Sequence, residues 1–121
     1  MHPSVELATV ADDGPLSVAA IVDAAVSARP GRLILAEAGP QLMATFLAER
    51  LLDELFLTLS PQVAGRDGST ERPGLASGVS FAPDDPRWGA LVDVRRGGSH
   101  LFLRYSFAQD QQEPTGAAQP S

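Results

Sequence analysis

Chemistry in this chain is concentrated at Glu37-Ala38-Gly39-Pro40-Gln41-Leu42. An apolar run, Leu33-Ile34-Leu35-Ala36, ends in the Glu37 carboxylate. A small-residue turn follows, and then a helix-forming stretch. A strand-turn-helix of this kind aims unpaired backbone N–H groups and the positive end of a helix dipole at one point. A phosphate or pyrophosphate fits there. Glu37 would sit beside it, on the usual ligand side of an α/β sheet, as a hydrogen-bond acceptor rather than as a proton donor. The plain alternative is an ordinary strand-to-helix turn. Glu37 adds negative charge at that spot and no Lys offsets it, so binding would lean on backbone N–H groups, the dipole and at most one Arg.

Other groups have bland readings that outweigh chemical ones. Asp53-Glu54 could be a carboxylate pair, but a solvated helix-to-strand turn explains it. His100 and Tyr105 could be acid–base groups; a lone His beside a Gly turn is more often polar surface. Arg95-Arg96 could clamp a phosphate, and adjacent Arg pairs are mostly solvated. Trp88 reads as a core anchor at a strand start. No catalytic residue is assigned.

Composition narrows the classes. The chain has 121 residues, a net charge of −6 and an apolar fraction of 44%. That suits one domain. All nine positive charges are Arg, so Schiff-base and P-loop Lys chemistry are excluded. An acidic domain without a basic stripe is a poor nucleic-acid binder. The absence of Cys excludes disulfides, thiolate catalysis and Cys-ligated metals. His2 and His100 are too isolated for a His-rich metal site. No stretch reaches the ~18 to 20 apolar residues of a membrane span, and the start lacks a secretory pattern. The expectation is a cytoplasmic protein with a small-molecule substrate and no nucleic-acid or membrane partner.

The positioning elements follow from periodicity. Val5 to Val10 reads as a strand and Ala11 to Pro15 as a turn. Ser17 is a helix N-cap. Val18, Ile21, Val22, Ala25 and Val26 make one helical face, which Arg29-Pro30-Gly31 ends. Leu33 to Ala36, without polar alternation, reads as a strand covered on both faces. Gly39-Pro40 opens a second helix carrying Leu42, Met43, Phe46, Leu47 and Leu51. Leu55 to Leu59 is a third strand, and the strand-helix order predicts parallel pairing. Ser60 to Pro86 is a long loop with a hint of order from Leu75 to Phe81. Trp88 to Arg95 and His100 to Phe107 form a hairpin about Gly97-Gly98, with Leu101, Leu103, Tyr105 and Phe107 on one face. Residues 1–108 make the domain and 109–121 a disordered tail.

Leu35 to Leu42, then Leu51-Leu52-Asp53-Glu54-Leu55-Phe56-Leu57-Thr58-Leu59-Ser60-Pro61 and Gly65, then Gly98 to Tyr105, together resemble the C-terminal reductase domain of the bacterial riboflavin-biosynthesis deaminase-reductase. The resemblance spans about Val5 to Phe107. It implies a dihydrofolate-reductase-like α/β fold: a mostly parallel sheet with crossover helices and a C-terminal antiparallel hairpin. It implies NADPH-dependent reduction of a ribosylaminopyrimidine phosphate, with hydride passing from the nicotinamide to the ribose C1′. By that resemblance Glu37 contacts substrate, while Gly39, Pro40, Gln41, Leu42, Met43, Ala44 and Thr45 hold the NADP phosphates. Ala38 stands where the family often has another Gly. The family's N-terminal strand and Thr/Ser-x-Asp-Gly-type motif have no counterpart here, and Asp13-Gly14 reads as a plain turn. The expectation is therefore the C-terminal half of such a reductase, completed by an N-terminal half or by a homodimer. The alternative is a non-catalytic remnant serving as a nucleotide-binding or dimerising module.

Overall fold

Ser17 starts the first helix. Its backbone is extended (φ −82°, ψ 128°), and its Oγ accepts the Ala20 N–H at 3.4 Å. That satisfies one donor a helix start leaves unpaired. Helix α1 spans Val18–Ala28. It ends where Arg29 N–H bonds the Ala25 carbonyl at 3.1 Å and Gly31 turns at φ +73°. Of the apolar stripe, Val18 is buried, Ile21, Val22 and Ala25 are half-buried, and Val26 is exposed.

The structure is a computed structural model describing residues 7–10, 14 and 17–108. The chain divides into two units, residues 1–39 and 40–121. The expected tail at 109–121, and most of the strand and turn expected from Val5 to Pro15, lie outside the described residues. Residues 7–10 form no strand.

Helix α2, Pro40–Ala48, opens the second unit with Pro at its first position, where a missing N–H costs nothing. Met43, Ala44 and Leu47 are buried. The helix closes with Arg50 in the left-handed region at φ +56°. Arg50 N–H donates to Leu47 O (3.3 Å), and Leu51 N–H to Phe46 O (2.9 Å). This paired closure uses up carbonyls of the last turn. Leu51, expected on the helical stripe, therefore lies beyond the helix.

Three strands follow: β1 (Glu54–Leu59), β2 (Ala90–Gly97) and β3 (His100–Ser106). The sheet order is β1-β3-β2 and both pairings are antiparallel. Gly98, at φ +60°, supplies the hairpin turn, and Gly97 pairs with His100. Leu55, Leu57 and Leu59 lie opposite Tyr105, Leu103 and Leu101, so one sheet face is apolar. Leu55 is buried with Met43 and Leu47, and Leu52, Ala76, Phe81, Tyr105 and Phe107 pack around them. The chain is thus a small α/β protein with two helices and a three-stranded antiparallel sheet among the described residues.

Three expectations need correction. The described strands pair antiparallel, not mostly parallel, and Leu33 to Ala36 is in no strand; Leu33 is 97% exposed. A short apolar run becomes a strand only when a neighbour takes its backbone groups. The neighbour that β1 has comes from the hairpin. Trp88 is no core anchor either; it is 38% exposed and precedes β2.

The loop from 60 to 86 is partly pinned. Ser77 N–H donates to Pro40 O at 3.0 Å, and Ala76 and Phe81 join the core. Arg87 closes the other end of α2. Its Nε donates to Leu47 O (3.0 Å) and its Nη2 to Ala48 O (3.3 Å). The guanidinium sits 5.0 Å from the Phe81 ring centroid and pairs with Asp85 at 2.7 Å. A cation at a helix C-terminus is favourable, and here it also donates to two carbonyls of the last turn.

Arg87→Ala is expected to cost about 2–3 kcal/mol in urea unfolding, from the lost charged hydrogen bonds. Arg87→Lys should recover only part of this, since a point charge cannot reproduce the fork. The hydrogen bond from Arg87 holds the Asp85 carboxyl below its ordinary 3.8. A depressed native value means stability that is fully present above 3.8 and is lost as pH falls through the native value. Asp85→Asn should flatten that acid limb, read as unfolding midpoint against pH.

Candidate functional site

The start of α2 is the place the sequence singles out. Pro40 has no N–H, and Gly39 before it has no side chain to cap the helix. The N–H groups of Gln41, Leu42 and Met43 have no acceptor within the helix. Gln41 and Leu42 are exposed, Pro40 and Thr45 half-buried, and Met43 and Ala44 buried. The Met43 and Ala44 side chains are therefore spent on the core and have only backbone to offer a ligand. Thr45 Oγ1 donates to Gln41 O at 3.3 Å, so its hydroxyl serves its own helix. Gly39 is exposed, and a Cβ built on it meets no atom within 4 Å.

Glu37 is exposed and lies in the irregular stretch 32–39. It does not end a strand, because the strand expected before it is absent. His100 is exposed at the first position of β3, and Tyr105 is half-buried against the core. Among the described residues no group of three or more His, Asp or Glu side chains converges in a way that could hold a metal ion.

A second place escaped the sequence reading. Alternation along β1 and β3 puts Glu54, Phe56 and Thr58 opposite Ser106, Arg104 and Phe102 on the sheet face away from α2. Asp93 and Arg95 of β2 lie opposite Arg104 and Phe102 and complete that face. Phe56, Thr58, Asp93, Arg95, Phe102 and Arg104 line an open depression of about 380 Å³ there. Arg104 Nε donates to Glu54 Oε2 at 3.1 Å, and its guanidinium lies 5.6 Å from the Phe56 ring centroid. Arg95 Nε donates to Asp93 Oδ2 at 2.8 Å. Glu54 is thus no loose turn residue; it holds an Arg fifty positions later. The hydrogen bond to Glu54 raises Arg104 above the ordinary Arg value. Each Arg here already has a carboxylate, so an incoming phosphate would first have to displace it. The readable signal was the even-numbered register of two short strands, which required knowing that β1 pairs with β3.

No known protein family and no curated protein matches this chain. No helix among the described residues is long and apolar enough to cross a membrane.

Removing Glu54 and Arg104 singly and together (Glu54→Gln, Arg104→Met) should show a small favourable coupling in a thermal-unfolding cycle. The pair is solvent-accessible, so the coupling should shrink as salt rises.

Proposed function

We propose that this chain is the cofactor-side half of an NADPH-dependent reductase of a ribosylaminopyrimidine phosphate in riboflavin biosynthesis. The reading takes a dihydrofolate-reductase-like domain whose parallel strands need a complementing segment. The observation that carries it is the uncapped start of α2: its first turn presents free N–H groups, on a helix anchored from its other face by Met43, Ala44 and Leu47. Those groups fit an anion held by backbone alone. When bound, NADPH would supply the hydride delivered to the ribose C1′. The chain's own part is to hold the phosphates through Gly39 to Thr45 and to contact substrate through Glu37. Both roles come from the resemblance of Leu35 to Leu42 to the reductase family. Orientation dominates such catalysis, and a half-site leaves one reactant loose. The isolated chain is expected to turn over little.

A second reading has its own support. Three of the described Arg side chains, Arg87, Arg95 and Arg104, are engaged away from the start of α2. That favours a non-catalytic module that binds nucleotide weakly or pairs with another chain.

A fluorescence titration with NADPH separates the outcomes. Saturable binding is expected, and Gly39→Asp should weaken it by roughly tenfold or more by setting a carboxylate against the phosphates. The change is sterically open and adds a favourable N-cap residue, so lost binding is not lost fold. A flat titration removes the cofactor from the reading. Binding without turnover of the ribosylaminopyrimidine leaves the non-catalytic module.

A further inference from the structure

Among the described residues, the two outer edges of the sheet are built differently. On β2 the register shifts between Leu91 and Asp93, and Asp93, Arg95 and Arg96 lie along the strand. Bulges and charges are standard protection for an exposed edge. Strand β1 has none: Glu54-Leu55-Phe56-Leu57-Thr58-Leu59 is unbulged, free of Pro, and charged only at its first residue.

The direction of its free backbone groups can be worked out. Phe107 N–H donates to Asp53 O at 2.7 Å, which makes these two a hydrogen-bonded pair just beyond the ladder. Bonded pairs alternate along an antiparallel ladder. Asp53, Leu55, Leu57 and Leu59 therefore turn their N–H and C=O groups toward β3. Glu54, Phe56 and Thr58 turn theirs outward.

We propose that this edge pairs with β1 of a second copy of the chain, antiparallel about a two-fold axis at Leu57. Two conditions select the register. Outward groups must face outward groups, and the leucine face must continue across the seam. With Leu57 on the axis, Leu55 lies opposite the partner's Leu59, Phe56 opposite the partner's Thr58, and Glu54 opposite the partner's Ser60. All three leucines meet leucines, and the acids of the two copies stay at opposite ends. The next allowed register, with Phe56 on the axis, would set Leu59 against the partner's Asp53. The seam covers Leu59, 55% exposed, and Phe56, 68% exposed. It joins two three-stranded sheets into one of six and does not rest on the nucleotide reading.

The chain has no Cys, so an introduced one reports its own contacts. Leu57 would face its own symmetry mate in a non-hydrogen-bonded pair, with Cα atoms about 4.5 Å apart, within disulfide reach. On mild oxidation Leu57→Cys should give a disulfide-linked dimer as the main species, while Thr58→Cys, facing Phe56, should stay monomeric on a non-reducing gel. Phe56→Pro removes one outward N–H and spares the ladder to β3. It should convert a dimeric mass by light scattering to a monomeric one, with the circular dichroism spectrum unchanged. A monomeric mass for the unaltered chain up to several hundred micromolar overturns the proposal. So does equal cross-linking at positions 57 and 58, or a dimer that survives Phe56→Pro.

Discussion

Leu55 packs against Met43 and Leu47, and the second unit depends on that contact. Helix α2 has nine residues, too few to persist in water without tertiary support. The sheet has three strands, and it too needs a cover for its apolar face. Each supplies what the other lacks. Tyr105 reaches the same cluster because β3 sets it opposite Leu55. Arg87 then fastens the C-terminal end of the helix, and Ser77 holds the carbonyl of its first residue. The start of α2 is thereby fixed from within. Its buried positions face the core, while Gln41 and Leu42 remain outside.

The elements legible in the sequence are those whose cause is local. Ser17 capped a helix because its hydroxyl meets the N–H of Ala20 three residues on. Pro40 opened one because its fixed φ suits a first turn. Gly98 turned the hairpin because a positive φ is needed there. What stayed hidden is what depends on a distant partner. Leu33 to Ala36 has the composition of a covered strand, yet composition does not provide a neighbour. The antiparallel sheet arises because residues near 55 and 105 pair, a match that no local pattern encodes. Glu54 looked like a solvated charge for the same reason, and Arg87 passed unnoticed between a Pro and a Trp.

Charge placement bears directly on function. The chain lacks Lys, and Arg87, Arg95 and Arg104 are each tied to a carboxylate or to carbonyls. What α2 itself offers an anion is the amides of its first turn. Amide sites of this kind position a phosphate well but contribute modest free energy when exposed. That is compatible with a cofactor-binding half that needs completion. It is equally compatible with a module that binds nucleotide and stops there. The difference lies in whether other residues are brought to the site, not in α2 itself.

The exposure of β1 changes along its length. Leu55 is 8% exposed and Leu59 is 55% exposed, although both lie on the same face of the strand. Helix α2 therefore covers only the first part of the sheet it packs on. The remaining leucines and the open edge beside them are one feature, since a strand added there would bury both together. Completing the sheet would also stiffen the floor under α2, and reaction rates are steep in the placement of bound groups. A fold with so small a core has little rigidity to lend a binding site. Leu55 is the residue common to the core beneath α2 and to strand β1.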